Sequence, residues 1–398
     1  MAKNLKRKMK RISRQGKSTR AAQVTSKLAH KNVVRVALVA FVVLLVVLGI
    51  YLFNRFKTYD GYKVVNKHKI ETGESSKYVS FKDNIIKYSR NGISYVNDDT
   101  TVWAEAYEMK NPEVDVCDDY LCVADKSAND ILIFGEDGKK GSVTTTYPIV
   151  KAQVAEQGVV GALLKDKDSN YIEVFDKEGN LLVSHKTLLM GKGYPLNFSL
   201  SDDGEKMIVS YLNVGKGSIS NKVVFYNFGS PGKNKKDRIV ATFNQYKDEL
   251  VPLVEFVDDS KAIAVSENRM TIYKVGDEPS ISEEEKFKGD AQKVFYNDDY
   301  IGLVFKTKKG KKPYRVDLYN SGLSRKLSER VSLAFDTVKF ADDNILMYND
   351  KTAMVMSDHG VIKFNHTFKN TITDIVPLGG VKSYLLVLSN KVEEIELD

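Results

Sequence analysis

Cysteine, histidine, tryptophan and proline are scarce in this sequence, and each shortage argues against a class of protein. Two cysteines among 398 residues argue against a scaffold held by many disulfides, and they leave no second pair for a four-ligand zinc site. Five histidines show neither HxH nor HExxH spacing, which are the common metal-binding patterns. In contrast, 21 tyrosines and 18 phenylalanines stand beside only eight prolines and one tryptophan, which is typical of a strand-rich globular protein.

Acidic residues are missing from the amino-terminal segment. Residues 1–35 contain 12 Lys and Arg and no Asp or Glu, whereas the rest of the chain holds 48 bases and 52 acids. The net charge of +8 therefore combines +12 from this tail with −4 from everything else. We expect the tail to contact anionic lipid, with nucleic acid as the less favoured alternative, and we expect no nucleic acid partner for the rest of the chain.

Charged residues are also missing from the next segment, 36–53, which reads VALVAFVVLLVVLGIYLF. These 18 residues nearly span a hydrocarbon core of about 30 Å if they form a helix. The polar stretch NRFK follows without a small-residue cleavage site, which favours an uncleaved anchor in the lipid bilayer. Because positive charge stays in the cytoplasm, the predicted organisation is a cytoplasmic tail 1–35, a transmembrane helix 36–53, a linker 54–61 and an extracytoplasmic domain 62–398.

One phrase recurs through that domain: apolar alternation, an acidic or amide pair, then strand formers. Its copies are YVSFKDNIIKYS (78–89), VDVCDDYLCVAD (114–125), FSLSDDGEKMIVS (198–210), VEFVDDSKAIAVS (254–266), KVFYNDDYIGLVF (293–305) and VKFADDNILMYND (338–350). A second phrase follows, an alternating strand that runs into a Gly-containing turn, as in VDLYNSG (316–322). Asp and Asn favour tight turns and Gly supplies positive φ, so the two phrases predict about four short strands per unit.

The spacing of these units predicts the architecture. Units start near residues 79, 113, 149, 194, 251, 291, 335 and 372. Repeats of this length with four strands predict an all-β fold, a β-propeller of eight blades, with seven as the alternative. The last unit shows only three strands, and unpaired strand edges are costly. We therefore expect the segment 62–72 to close the ring, with Tyr62, Val64, Val65 and Ile70 in the closing strand.

The recurring acids have two interpretations. They are favoured in tight turns for local reasons, and a repeated turn repeats them. Alternatively, they form a ring of acids on one face that binds a cation or a basic partner. We favour the turn interpretation.

These units resemble the blades of WD40-like and quinoprotein-like β-propellers. The order of tail, anchor and propeller resembles that of single-pass membrane proteins of Gram-positive bacteria. The resemblance covers nearly the whole chain and implies a propeller outside the membrane, but it implies no firm activity. Quinone-dependent relatives rely on Trp-rich motifs, a Ca²⁺ site and adjacent cysteines, whereas this chain has only Trp103 and no adjacent pair. The usual Gly-His and Trp-Asp dipeptides of WD40 repeats are absent as well. We therefore expect no cofactor.

Two local patterns could carry chemistry. Cys117 and Cys122 flank DDYL and could face each other across a hairpin, so a disulfide and two free thiols are both open. The stretch DKDSNYIE (166–173) resembles the start of a Ca²⁺ loop, but it lacks the required Gly and the final bidentate acid. A solvated hairpin is favoured there, and we expect no metal site.

The sequence favours a non-catalytic role. We expect a membrane-anchored module that binds a protein or a cell-envelope polymer, because no catalytic motif is visible. An enzyme acting on carbohydrate or peptidoglycan is the alternative, and a sensor with a signalling tail is a weaker one. Partner contacts are expected first at GKGSIS (215–220), GSPGKNKK (229–236) and SISEEEKFKGD (280–290).

Overall fold

The computed structural model describes residues 38, 40–49, 52–53, 55–68, 76–82, 84–97, 100–188, 193–215, 217–289, 291–307, 310 and 312–398. The chain divides into two compact units, residues 1–58 and 59–398. In the first unit, residues 38, 40–49, 52–53 and 55–56 are helical. No helix within the described part of the chain combines the length and the apolar character that a membrane crossing requires. The predicted tail, 1–35, and five residues of the predicted helix, Val36, Ala37, Val39, Ile50 and Tyr51, lie outside the described residues.

The described residues of the second unit form 32 strands in eight four-stranded antiparallel sheets. We call the strands of each sheet A, B, C and D in order. The first four blades are listed with their strands in that order: blade 1, β2 Lys77–Phe81, β3 Asn84–Tyr88, β4 Gly92–Asn97 and β5 Thr100–Ala106; blade 2, β6 Pro112–Cys117, β7 Tyr120–Asp125, β8 Asp130–Gly135 and β9 Gly138–Thr144; blade 3, β10 Ile149–Val154, β11 Val160–Lys165, β12 Ser169–Phe175 and β13 Leu181–Leu188; blade 4, β14 Tyr194–Leu200, β15 Lys206–Gly215, β16 Ser218–Asn227 and β17 Ile239–Lys247.

The other four blades follow the same plan. Their strands are: blade 5, β18 Leu253–Asp258, β19 Lys261–Val265, β20 Arg269–Lys274 and β21 Ser280–Lys286; blade 6, β22 Ala291–Tyr296, β23 Tyr300–Lys306, β24 Tyr314–Asn320 and β25 Arg325–Val331; blade 7, β26 Thr337–Ala341, β27 Asn344–Tyr348, β28 Thr352–Ser357 and β29 Ile362–Thr367; blade 8, β30 Ile372–Pro377, β31 Ser383–Leu388, β32 Lys391–Leu397 and β1 Tyr62–His68. Two 3₁₀ turns, Ser230–Gly232 and Lys236–Arg238, interrupt the path from β16 to β17.

The eight-bladed propeller expected from the repeats is confirmed, and the seven-bladed alternative is wrong. A strands of neighbouring blades contact each other, as β14 does β18 and β2 does β30, so the A strands line the centre of the ring. Each of the eight blade interfaces is filled by its own cluster of buried side chains. Successive residues of a strand thus pack into two different interfaces, as Ala264 lies between blades 4 and 5 and Val265 between blades 5 and 6, so both faces of a sheet are buried.

The ring closes through β1, which pairs antiparallel with β32. Tyr62 lies opposite Leu397 and Val64 opposite Ile395, while Val65 is the extra residue of a β-bulge. The Tyr62 ring packs against His366 and Phe368 of blade 7, with 5.2 Å between ring centroids in both pairs. Ile70 lies outside the described residues.

Candidate functional site

The recurring acids lie in the turns between A and B strands. All A strands run in the same direction around the ring, so these turns share one side of the propeller, which we call the A–B face. Neighbouring turns contact each other: the backbone N–H of Glu156 donates to the carbonyl of Asp202, at 2.9 Å, and that of Asp203 donates to the Asp259 carboxylate, at 3.0 Å. Asp118 adopts a positive φ of 45°, as tight turns require. The acids are therefore turn residues, and the ring brings them together.

We call this set of turn acids the acidic mouth. It comprises Asp118, Asp119, Glu156, Asp202, Asp203, Asp258, Asp259, Asp298, Asp299, Asp342 and Asp343. Some members have a basic partner, as Lys82 contacts Asp118 at 2.6 Å and also contacts Asp119. The two interpretations of the acids are thus compatible, because local turn chemistry builds a shared negative surface.

The pKa of Asp202 shows that carboxylates lie close together on this surface. Desolvation, and then the negative charges of Asp259, Glu156 and Asp298, raise the pKa of Asp202 to about 6. Asp298 belongs to blade 6, two blades away, so carboxylates from several blades act on one point. Repulsion of this kind favours any cation that binds among these carboxylates.

Behind the mouth, polar side chains on A strands form a network inside the ring. Gln153 of blade 3 donates from its amide to the Glu255 carboxylate of blade 5, at 3.3 Å, and Ser199 of blade 4 donates to the same oxygen, at 2.6 Å. Lys151 donates to the side-chain oxygen of Asn197, at 2.8 Å, and to a neighbouring carbonyl at the same distance. We call Asp115, Lys151, Gln153, Ser199, Glu255 and Tyr296 the axial network.

Three members of the network have shifted pKa values. Asp115 accepts a hydrogen bond from the backbone N–H of Val154, at 2.9 Å, yet burial raises the pKa of its carboxyl to about 7. Desolvation also lowers the pKa of Lys151, although Glu255 and Asp115 oppose that shift. The pKa of Tyr296 is raised by burial and by the charge of Glu255, to which its hydroxyl is hydrogen-bonded. The charge of the axial network therefore changes near neutral pH.

The cysteine pair lies beside this site. Cys117 is opposite Tyr120 in the β6–β7 hairpin and Cys122 is opposite Asp115, so the two are offset by two positions along the ladder. Both are free thiols in the structure. Cys117 lies 3.9 Å from the Asp202 carboxylate, and burial raises its pKa to about 12. Oxidation of the pair stays a prediction.

The other sequence candidates are placed elsewhere. The Ca²⁺-like stretch forms the β11–β12 hairpin, in which the N–H of Asp166 donates to the carbonyl of Ser169 at 2.8 Å. Within the residues that the structure covers, no three His, Cys, Asp or Glu side chains are grouped to hold a metal ion. In the stretch 215–220, Gly215 ends β15 and Ser218 begins β16, and the stretch 280–290 is mainly the outer strand β21 rather than a loop. No site residue predicted from the sequence belongs to the axial network.

A signal for the axial network was present in the sequence. In VEF, KAQV and VDV, polar residues alternate with apolar ones at the start of a blade. In a strand that borders the axis, those polar positions point to the centre. They could be interpreted only once the blades had been numbered and the A strands identified.

Comparison with protein families gives one match. Residues 55–397 match the family described as "Family of unknown function (DUF5711)". The chain belongs to this family. No curated protein matches the chain.

Solved structures with a similar fold are distant in sequence. The computationally designed protein Ika8 matches with a TM-score of 0.54 and 9% identity, over 86% of this chain and 100% of that one. Chaetomium thermophilum Sqt1, bound to the N-terminus of ribosomal protein L10, matches with a TM-score of 0.52 and 7% identity, over 80% of this chain and 95% of that one. The WD40 domain of Neurospora crassa Pan2 gives a TM-score of 0.44 with 11% identity, over 72% of this chain and 88% of that one. At such low identity, the similarity extends to the propeller fold alone.

Proposed function

We propose that the protein is a non-catalytic binding module that holds a basic segment of a protein partner at the acidic mouth. The observation that carries this proposal is the convergence of carboxylates from several blades, whose negative charges help to raise the pKa of Asp202. The axial network lies behind them and offers hydrogen-bonding groups to a side chain that enters the ring. A rigid scaffold that gathers loops from many blades suits partner binding more than bond cleavage.

The partner's chemistry follows from the charge of this surface. Clustered carboxylates attract Lys and Arg over several ångströms and speed the encounter with a basic partner. Among the solved propellers, Sqt1 is bound to the N-terminus of a ribosomal protein. A protein segment is therefore an occupant that this fold can accept.

Membrane anchoring is part of the same proposal. The 18-residue uncharged run at 36–53 would hold the chain in the bilayer, with the basic tail in the cytoplasm and the propeller outside the cell. Large apolar side chains of this run, including Leu44 and Val47, each at 61% exposure, are available to lipid. An envelope protein with an exposed basic segment would be the natural partner of such a module.

A charge-matched pair of variants tests the proposal. The mouth variant combines Asp202→Asn, Asp259→Asn and Asp298→Asn, and the control variant combines Asp168→Asn, Asp277→Asn and Glu283→Gln, which are exposed carboxylates away from the mouth. Each full-length chain is titrated with a fluorescent oligolysine peptide and is also crosslinked in intact cells before mass spectrometry.

We expect the mouth variant to bind oligolysine about tenfold or more weakly, because each lost charge pair contributes a fraction of a kcal/mol to a few kcal/mol. The control variant should bind like the wild type. The crosslinked partner should disappear with the mouth variant only. Equal binding by both variants, or a partner retained by the mouth variant, would contradict the proposal.

A further inference from the structure

A second site lies on the A–B face, between blades 1 and 2. It is an open cavity of about 490 Å³ lined by turns of both blades, and we call it the blade 1–2 cleft. This volume is within the range of small-molecule sites, about 300 to 1,000 Å³. Except for Asp119, its lining residues lie outside the acidic mouth.

The cleft has a small apolar wall. Tyr95, Tyr120 and Val102 line it; Val102 is 52% exposed, whereas Tyr95 is buried and the Tyr120 side chain packs with the cluster between blades 2 and 3. The rings of Tyr95, Trp103 and Phe134 pack in series, with centroid distances of 5.8 and 5.1 Å, and the last two rings are parallel within 2°. This aromatic layer fixes the wall, so the cleft is preformed.

The cleft also has amide, carboxylate and ammonium groups. Asn84 and Asn97 contribute amides, and the Asn84 amide donates to the Tyr95 hydroxyl, at 3.0 Å. Carboxylates come from Asp119 and Asp137, and an ammonium comes from Lys140. Donors and acceptors thus stand beside an apolar surface.

The cleft differs from the acidic mouth in its balance of charges. Lys140 pairs with Asp137, and Lys82 pairs with Asp119 from the edge of the cleft. Glu136 is the remaining carboxylate of the lining. Because most charges are matched internally, the cleft presents hydrogen-bonding capacity rather than a strong field. Such a lining does not select an ion.

We propose that the blade 1–2 cleft binds a short neutral saccharide. Sugar hydroxyls both donate and accept hydrogen bonds, which suits amides, carboxylates and an ammonium placed together. The C–H face of a sugar ring is apolar and can pack on the exposed Val102 side chain. The volume accommodates about two or three sugar rings, within the size range of ligand sites. This inference does not depend on the acidic mouth.

Trp103 provides a direct measurement of this site. It is the only tryptophan of the chain. Its indole N–H donates to the backbone carbonyl of Glu136, at 2.9 Å, so it lies directly behind the cleft lining. A saccharide that contacts this lining should change the intrinsic fluorescence of the protein.

The full-length chain, in a detergent without sugar headgroups, is titrated with maltotriose, cellotriose and triacetylchitotriose. We expect a saturable fluorescence change with at least one of them, with a Kd on the order of 0.1 to 5 mM, as for a small and solvated contact surface. Asn97→Ala should weaken that binding by about three- to tenfold through the loss of one hydrogen-bonding side chain.

A matched pair of variants locates the binding. Val102→Lys places a long charged side chain across the cleft, and we expect it to abolish the fluorescence response. Val214→Lys makes the same change at a site that is 77% exposed on the blade 4 hairpin, and it should bind like the wild type. Thermal unfolding checks that both variants fold. The proposal is overturned if no trisaccharide gives a saturable response, or if Val102→Lys binds as well as Val214→Lys.

Discussion

The blade interfaces and the ring axis use the same A strands but follow opposite rules. In β18, Val254 and Phe256 are buried in the cluster between blades 4 and 5, whereas Glu255 between them accepts the hydrogen bond from Ser199. In β10, Val154 packs into the interface between blades 2 and 3, whereas Gln153 reaches Glu255. All eight interfaces are filled by buried apolar side chains, whereas the polar side chains at the axis differ from blade to blade. The apolar interfaces hold the ring together, and the polar side chains at the axis distinguish one blade from another.

Loss of the closing strand should have the largest effect, because it opens one interface completely. A chain that lacks residues 1–68 loses β1, whereas a chain that lacks residues 1–57 retains it. Uncovering Ile395 and Leu397, both buried, should cost at least about 3 kcal/mol, since each fully buried apolar side chain contributes about 1.5 to 3 kcal/mol.

Urea unfolding of the two truncated chains measures this difference. We expect the longer truncation to unfold at a clearly lower urea concentration, or to aggregate through the exposed edge of β32. Equal unfolding midpoints would show that closure by β1 contributes little to the ring.

Replacing Asp115 tests how the axial network affects the stability of the fold. Its pKa in the folded chain is about 7, above the ordinary value of 3.8, so the folded state binds the proton more tightly than the unfolded state does. The stability from this group is therefore fully present below pH 4 and is lost as the pH rises through about 7. Asp115→Asn keeps an acceptor for the Val154 N–H but removes the charge, so it should raise the unfolding free energy at pH 8 by about 1 to 2 kcal/mol.

The pH dependence separates this effect from a general loss of negative charge. Between pH 4 and 8, the stability of Asp115→Asn should change less than that of the wild type. Asp343→Asn, in an exposed turn of blade 7, is the control and should follow the wild-type curve. If Asp115→Asn is less stable than the wild type at pH 8, the axial carboxylate is stabilised by contacts that outweigh its burial.

Asp202 gives a smaller effect, on binding rather than on stability. Its pKa of about 6 means that it gains a proton as the pH falls from 7.5 to 5.5, and the mouth then loses negative charge. Oligolysine binding to the wild type should weaken by about two- to threefold over this range, as expected for one partly screened charge. Asp202→Asn should bind more weakly at pH 7.5 and should lose that part of the pH dependence. A variant with the same pH profile as the wild type would assign the titration to another group.

The contrast between repeated interfaces and a varied axis also explains how much of the structure could be predicted from the sequence. Acidic turns and Gly turns recur because each blade needs them, so eight blades and their start points could be predicted from local patterns alone. The contact between Gln153 and Glu255, 102 residues apart, arises only when separate blades meet at the axis. The blade 1–2 cleft likewise combines two hairpins that carry no shared motif. Local chemistry predicts the repeat, and ring closure creates the sites.

The last prediction concerns the reactivity of Cys117, whose sulfur lies 3.9 Å from the Asp202 carboxylate of the mouth. Burial and the charges of Asp202 and Asp115 raise its pKa to about 12, and the pKa of the buried Cys122 is raised as well. Because the thiolate is the reactive form, iodoacetamide at pH 8 should alkylate the native chain at least about 100-fold more slowly than it alkylates glutathione. In denaturant, mass spectrometry should show both thiols alkylated. A denatured chain that takes up no label would instead show that Cys117 and Cys122 are joined, and rapid labelling of the native chain would show that the mouth opens further than its packing indicates.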